Sequence, residues 1–201
     1  KLPQNVKYIG GRAFDGCKAL NSIILNNNLT TILHYAFNGC SSLVTVNIPN
    51  SVTEMGEGIF AHCTKLQGFT GRYATNKGQL LIIGEALIAA APQSVTEVTI
   101  PDNVTNICES AFTDCKKLKK VSMNNNVTRI GGGAFSGCTV LKSVQLSNNI
   151  NKIEIITFSG CKALNSITIP YSVKTIGGYA FSDCSALTSI SLPSVYTIES
   201  S

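Results

Sequence analysis

The sequence predicts a β-rich solenoid of about eight coils of 23 residues, with parallel β-strands and one coil enlarged by a hairpin. Three observations support this: a Phe-x-x-Cys signature recurs at a fixed spacing, two short apolar segments recur in each unit, and neither segment is long enough for a stable helix. A unit of this size cannot bury its own apolar side chains, but stacked units bury them against one another. With parallel strands ~4.8 Å apart, eight coils predict a rod roughly 40 Å long.

The Phe-x-x-Cys signature sets the register of the coils. Successive copies are 23 residues apart, except that the step from Cys63 to Cys115 is 52 residues, which is 23 plus 29. One whole coil has therefore lost the signature and gained six residues. We number the coils accordingly: coil 4 is irregular, and coils 1–3 and 5–8 carry, in order, Phe14/Cys17, Phe37/Cys40, Phe60/Cys63, Phe112/Cys115, Phe135/Cys138, Phe158/Cys161 and Phe181/Cys184.

The two apolar segments predict two strands in each coil. One reads L-x-x-V-x-I, as in Leu164/Ile167/Ile169, and the other reads V-T-x-I, as in Val173/Ile176. An Ile-Pro or Asn-Asn step between them predicts a bend. The A-F-x-x-C-x-x-L segment has a spacing of three to four residues, which is compatible with one helical turn.

The complete unit, V-T-x-I-G-x-x-A-F-x-x-C-x-x-L-x-x-V-x-I-P, resembles the BspA-type leucine-rich repeat, which is found in surface proteins of gut and oral Bacteroidetes and in some protozoan parasites. The resemblance covers nearly the whole chain. It implies a right-handed leucine-rich-repeat superhelix, a place on the cell surface or among secreted proteins, and adhesion to host matrix proteins or other bacteria. The chain departs from the pattern at Leu33, Cys108 and Glu154, which replace the glycine after the second-strand Ile. Glycine is therefore a preference at that position, not a requirement for positive φ.

Residues 67–94 form the irregular repeat within what we expect to be a single solenoid domain, residues 1–201. Two apolar runs flank Gly84-Glu85, a pattern that predicts a hairpin with a type II′ turn. In one interpretation the hairpin widens its coil and fills part of the core. In the other, the hairpin or its loop, with Tyr73 and Lys77, protrudes and forms a recognition edge, because loops on rigid scaffolds often carry specificity.

The eight cysteines are predicted to be buried free thiols that pack as small apolar groups. Disulfides are the alternative. Stacked equivalents keep their Cβ atoms near the ~4.8 Å repeat, however, whereas a disulfide requires roughly 3.5–4.5 Å. No pattern of converging metal ligands occurs, so no metal is expected.

Catalytic patterns are not evident. His34 and His62 are the only histidines, they occupy different positions in their repeats, and Cys63 beside His62 is a ladder residue expected to point inward. The Gly131-Gly132-Gly133 run is neither a dinucleotide-binding nor a phosphate-binding motif. We therefore expect no cofactor and no enzymatic activity.

The surface expected to bind partners is the outward side of the first strands. Alternate residues of a strand point to opposite sides, so the third and fifth positions of L-x-x-V-x-I should face solvent. These are mostly small hydroxyl and amide side chains without aromatic anchors. They read Ser22/Ile24, Thr45/Asn47, Gly68/Thr70, Glu97/Thr99, Lys120/Ser122, Ser143/Gln145, Ser166/Thr168 and Ser189/Ser191.

A group of lysines interrupts this polar surface: Lys116, Lys117, Lys119 and Lys120, with Lys142 one coil further on. They are either a solvated edge or a patch for an anionic glycan or acidic protein. Nucleic acid is not expected, because no aromatic residues are interleaved with the lysines. The candidate partner-binding residues are Lys119, Lys120, Ser122, Lys142, Gln145, Ser166, Thr168, Tyr73 and Lys77.

The functional prediction is a non-catalytic binding module. Only 13% of residues are charged, the net charge is +5, and no run of residues suits a membrane span. We expect a monomer that recognises a protein or glycan outside the cell. An architectural spacer, with binding carried by another domain, is the main alternative, and an enzyme is a remote one.

Overall fold

Both apolar segments of the repeat form short strands in the computed structural model of the chain, which describes residues 1–200. In the first strands of coils 2–6 a buried residue lies between two more exposed ones, as Val121 does between Lys120 and Ser122. In coils 1, 7 and 8 this segment makes only isolated bridges. The strands are β1 (Tyr8–Ile9), β2 (Thr31–Ile32), β3 (Thr45–Asn47), β4 (Glu54–Met55), β5 (Gly68–Thr70), β6 (Ala74–Thr75), β7 (Leu80–Ile83), β8 (Ala86–Ala90), β9 (Glu97–Thr99), β10 (Asn106–Ile107), β11 (Lys120–Ser122), β12 (Arg129–Ile130), β13 (Ser143–Gln145), β14 (Lys152–Ile153), β15 (Thr175–Ile176) and β16 (Thr197–Ile198).

Equivalent residues of successive coils lie side by side in parallel register. Val121 pairs with Val98 on one side and Val144 on the other, and Ile107 pairs with Leu87 and Ile130. No helix is present in the part of the chain that the structure describes. The predicted solenoid of about eight coils with parallel strands is confirmed.

The A-F-x-x-C segments form tight turns, so the helical turn considered from the sequence is wrong. In coil 5, Ser110 and Asp114 have φ of 58° and 59°, and each interrupts a right-handed helical path. The amide of Phe112 donates to the carbonyl of Ala134 in the next coil at 2.7 Å. Backbone amides such as that of Phe112 therefore donate hydrogen bonds to the next coil instead of continuing a helix within their own coil. We call this side of the solenoid the turn edge.

The phenylalanines and cysteines form the two predicted ladders. Neighbouring phenylalanine rings stack with centroids 5.0–5.6 Å apart, in coils 1–3 and again in coils 5–8. The thiol of Cys63 donates to the carbonyl of Phe37 at 3.2 Å, and Cys138 donates to Phe112 in the same way. All eight cysteines are free, and seven are buried as predicted; Cys17, in coil 1, is exposed.

Coil 4 contains the predicted hairpin, formed by antiparallel β7 and β8 around Gly84, whose φ is 58°. Both strands are almost entirely buried. Leu80 and Ile82 pack in the core of coils 5–8, whereas Leu81 packs in the core of coils 1–3. The hairpin therefore separates two apolar clusters and belongs to both. The interpretation that it fills the core is correct, and a protruding hairpin is wrong.

The backbone of coil 4 stops short of the turn edge. Leu87 and Ala90 make the inter-coil hydrogen bonds that Ile9 and Phe14 make in coil 1. Only two residues separate Leu87 from Ala90, whereas four separate Ile9 from Phe14. Coil 3 therefore contacts coil 5 directly at this edge.

The recurrent glycine after the second strand is explained by close contact between coils. A Cβ atom at Gly131 would lie 2.5 Å from the backbone nitrogen of Glu109, and Gly56 and Gly177 are equally crowded. These glycines do not have positive φ, as expected from the sequence. Each lies against a coil that carries a larger residue at the same position: Leu33, Cys108 or Glu154.

Candidate functional site

The structure gathers five of the nine candidate residues on coils 5 and 6. We call the outward side of the first strands the strand face. Lys120 lies opposite Ser143, Ser122 lies opposite Gln145, and the amide of Lys142 donates to the carbonyl of Lys119 at 2.9 Å. Their side chains are exposed apart from Ser122, which is half-buried. The five that lie together are Lys119, Lys120, Ser122, Lys142 and Gln145.

Ser166 and Thr168 extend this surface onto coil 7. Both are exposed, and Thr168 bridges to Ser191 of coil 8. A depression of about 340 Å³ beside them is lined by Gln145, Asn148 and Thr168, among others. Within residues 1–200, β13 of coil 6 is the edge of the sheet that it forms with β11 and β9, so Ser166 and Thr168 of coil 7 lie beyond this sheet, across the depression. The small side chains of the strand face leave room for a partner to approach the backbone.

The cationic character of the strand face is concentrated in three lysines. Within residues 1–200, Lys119, Lys120 and Lys142 have no carboxylate within ion-pair distance. Lys116 lies 3.9 Å from Asp114, and Lys117 donates to a backbone carbonyl. Glu97 lies opposite Lys120 in the sheet and reduces the local positive potential. The patch is therefore smaller than the run of lysines in the sequence indicates.

Lys77 and Tyr73 lie apart from this group. Lys77 is exposed in the loop beside β5, where the amide of Phe69 donates to the carbonyl of Gly78. Tyr73 is only 8% exposed, and its hydroxyl donates to the carbonyl of Val52 at 2.7 Å. Its placement on a recognition edge is therefore wrong, because the ring fills the core beneath the irregular coil.

Three polar contacts on the turn edge join coils across the shortened coil 4, and the sequence did not reveal them. His62 Nδ1 lies 2.8 Å from Asp114 Oδ2, and Arg129 Nη1 lies 2.7 Å from Glu57 Oε1. The third is the hydrogen bond that the Tyr35 hydroxyl donates to Glu109. One feature of the sequence points to these contacts, namely the 52-residue step from Cys63 to Cys115. His62 immediately precedes Cys63, and Asp114 immediately precedes Cys115, so the two residues occupy equivalent positions on either side of coil 4.

These contacts shift the titration of the groups involved. The hydrogen bond to Asp114 raises the pKa of His62, and the same bond lowers the pKa of Asp114. Burial, and then the hydrogen bond to Glu109, raise the pKa of Tyr35 to about 12. His62 and Asp114 are therefore oppositely charged at mildly acidic pH.

The chemistry of a Cys-His nucleophile is not assembled at His62. The Cys63 thiol points into the core, where it donates to Phe37, and burial raises its pKa to about 12. A thiol with so high a pKa is a poor nucleophile at neutral pH. In the part of the chain that the structure describes, no cluster of three or more His, Cys, Asp or Glu side chains could hold a metal ion.

Comparison with known protein families decides the classification. A family model described as the BspA type leucine rich repeat region matches the chain in six copies, over residues 1–78 and 82–201. The chain belongs to the BspA-type leucine-rich-repeat family. Leucine-rich-repeat domains of this kind are generally repeat modules without catalysis, and they typically bind proteins.

Two solved structures of bacterial proteins are similar to this BspA-type domain. A leucine rich cell surface protein from Faecalibacterium prausnitzii has a TM-score of 0.90 and 28% identity, over all of this chain and 59% of that one. The pneumococcal vaccine antigen PcpA has a TM-score of 0.83 and 25% identity, over 94% of this chain and 49% of that one. The chain thus spans about half to three fifths of the length of these relatives. No curated protein matches the BspA-type domain.

Within residues 1–200 of the BspA-type domain there is no helix of the length and hydropathy needed to span a bilayer.

Proposed function

We propose that this BspA-type domain is an adhesion module that acts outside the cell, on a cell surface or as a secreted protein. It binds a matrix protein, a glycan or another cell through the strand face of coils 5–7, and it acts as a monomer. The observation that carries this proposal is the group of unpaired lysines on the polar sheet surface of coils 5 and 6. The F. prausnitzii relative, which is described as a cell surface protein, supports the location.

The strand face suits an anionic partner. Lys119, Lys120 and Lys142 lie on two adjacent coils, ~4.8 Å apart, and the hydroxyl and amide groups beside them offer hydrogen bonds. Sulfated glycans and acidic protein segments carry the complementary charge. Because the rigid scaffold holds these groups in place, little ordering entropy is lost on binding.

The affinity of one domain for such a partner should be modest. Tight interfaces usually depend on Trp, Tyr or Arg anchors, and the strand face of coils 5–7 carries none of these. Many copies on one surface would raise the overall avidity by a factor of ~10² or more. Modest affinity for each domain, combined with many copies on one surface, is sufficient for adhesion between surfaces.

The test measures binding to heparin, a sulfated polysaccharide, and to a panel of matrix proteins. The variant Lys119→Glu/Lys120→Glu/Lys142→Glu should weaken heparin binding by about tenfold or more and reduce its dependence on salt. The control Lys7→Glu/Lys18→Glu/Lys65→Glu changes the net charge equally, at exposed lysines elsewhere, and should have a smaller effect.

Two results would contradict the proposal. If both triple variants weaken heparin binding equally, net charge and not the strand face determines binding. If the wild-type domain binds neither heparin nor any matrix protein of the panel, the domain is a spacer and binding lies elsewhere in the protein.

A further inference from the structure

Two rows of residues on the turn edge have left-handed backbone conformation, and the row that contains Ser110 borders a groove. In regular coils this position donates its amide to the carbonyl of the next coil, as Ser110 does to Gly132 at 3.0 Å. Stacking therefore imposes the conformation whatever the side chain, and glycine fits it best. The row reads Arg12, Tyr35, Gly58, Ser110, Gly133, Ile156 and Tyr179, with φ between 54° and 64°.

Ile156 is the residue in this row that folding explains least. A β-branched side chain at a φ of 60° is strained, and 38% of Ile156 remains exposed to solvent. Ile155 beside it is 50% exposed, and Tyr179 in the next coil is 55% exposed. Gly58 and Gly133 occupy the same row, so the fold accepts glycine there. Strain and exposed apolar surface thus coincide at one place, which favours a role in binding.

Ile155 and Ile156 form one wall of a groove. Coil 6 presents only Gly132, Gly133 and Ser136 at this edge, so its surface is lower than that of its neighbours. The groove has a volume of about 270 Å³ and runs between Ile155 and Ile156 on one side and the contact of Tyr35 with Glu109 on the other.

The opposite wall carries a carboxylate without a cationic partner. The cations nearby are engaged by other acids: Arg12 pairs with Asp15, Arg129 with Glu57, and His62 with Asp114. Within residues 1–200, Glu109 has no cation within ion-pair distance and accepts only the hydroxyl of Tyr35 among side chains. The groove therefore offers a half-buried negative charge at one wall and an apolar surface at the other.

We propose that this groove binds an extended peptide segment of a partner protein, with a lysine or arginine at Glu109 and an aliphatic or aromatic side chain against Ile155 and Ile156. Coils 5 and 7 are two layers apart, roughly 10 Å, which is the span of about three residues of chain in the extended polyproline II conformation, where residues i and i+3 share one face. The partner motif is therefore a basic and an apolar residue separated by two others. An anionic glycan would be repelled by Glu109.

This proposal rests on the proposed function in one respect, because both require that the domain binds a partner. The groove lies on a different surface from the strand face. The probes are the blocked tetrapeptides Ac-Lys-Ala-Ala-Leu-NH2 and Ac-Leu-Ala-Ala-Lys-NH2, titrated into ¹⁵N-labelled domain up to ~10 mM and followed by NMR. Amide shifts should be confined to the turn edge, at the residues that line the groove. Replacing Lys by norleucine should weaken binding about threefold or more, and replacing Leu by Ser about tenfold.

Two variants of the domain separate binding from folding. Glu109→Gln keeps a hydrogen-bond acceptor for Tyr35 but removes the charge, and it should weaken binding about threefold. Ile156→Gly should weaken binding about tenfold, while the unfolding midpoint stays equal or rises because glycine relieves the strain. A fall in the midpoint would show that Ile156 serves the fold and would overturn the argument.

The strand-face triple variant is the control that keeps the two proposals distinct. It should bind the tetrapeptides as the wild type does, and the groove variants should bind heparin as the wild type does. The groove proposal is overturned if neither tetrapeptide shifts the turn-edge amides, if binding survives both groove variants, or if neutral oligosaccharides occupy the groove and the peptides do not.

Discussion

The amide of Gly58 donates to the carbonyl of Glu109 at 3.2 Å, so coil 3 is bonded to coil 5 at the turn edge and coil 4 is bypassed. The row of inter-coil hydrogen bonds continues through this step without a gap. The His62–Asp114 pair reinforces this contact, and the Arg129–Glu57 pair joins coil 3 to coil 6. Residues that are far apart in sequence thus become ordinary neighbours in the stack.

The His62–Asp114 pair should make stability depend on pH. The raised pKa of His62 gives a stabilisation that is complete below its unfolded value of 6.5 and is lost as pH rises through the folded pKa. The lowered pKa of Asp114 gives a second stabilisation, which is complete above the unfolded pKa of 3.8 and is lost as pH falls through the lower folded pKa. The pair is therefore most stabilising between about pH 4 and 6.5.

The measurement compares wild type with His62→Asn in urea between pH 3 and 9. Asparagine tolerates the φ of 57° at this position but carries no charge. Because His62 is largely exposed, the difference in unfolding free energy should stay below about 1 kcal/mol, with its maximum in the stated pH window. A difference that does not vary with pH would rule out the ion pair.

Gly131→Ala should destabilise the domain by about 1–3 kcal/mol, because the new Cβ would lie 2.5 Å from the backbone nitrogen of Glu109. Gly10→Ala is the matched control at the same repeat position. Its Cβ would contact only the ring of Tyr8, at 3.6 Å, so the change should stay within about 0.5 kcal/mol. Equal effects in urea denaturation would contradict the proposed close contact between coils.

Phe135→Ala should cost about 3–5 kcal/mol, because the ring is fully buried between Phe112 and Phe158. Phe14→Ala, at the end of the ladder, should cost less, since Phe14 is only half-buried and stacks on one ring. Thermal and urea unfolding of both variants measure the difference. If Phe14→Ala were as costly as Phe135→Ala, burial within the stack would not determine the contribution of the ladder.

The thiols should divide into one reactive group and seven protected ones. Cys17 is exposed, whereas the others are buried, and burial raises the pKa of Cys40 to about 11 and that of Cys161 to about 12. A thiol reagent at pH 8 should therefore modify one thiol in the native domain and eight in guanidine without reductant. Fewer than six in guanidine would indicate disulfides, and Cys17→Ser should abolish the native reaction.

The regular part of the fold could be predicted because its periodicity is explicit in the sequence. Alternation along Lys120-Val121-Ser122 gave the outward and inward positions, and the spacing of Phe135 and Cys138 from their equivalents gave the ladders. Each regular coil repeats the same environment, so a position understood in one coil is understood in all of them.

The irregular coil and the turn edge could not be predicted in the same way. Tyr73 belongs to no repeated position, so no register indicated that its ring points inward. The contact of His62 with Asp114 depends on coil 4 being two residues shorter between Leu87 and Ala90. Such a deletion is visible only when the inter-coil hydrogen bonds are known.

The insertion also gives coil 4 unequal thickness on its two sides. On the strand side, residues 71–79 add chain beside β5, where Phe69 bonds to Gly78 and Ala91 bonds to Gln79. On the turn edge, Gly58 meets Glu109 with nothing between them. Coil 4 therefore occupies more space beside β5 than at the turn edge. A partner long enough to contact both stacks would meet a continuous row of coils at the turn edge and an interruption on the strand side, and a single repeat sets the position of that interruption.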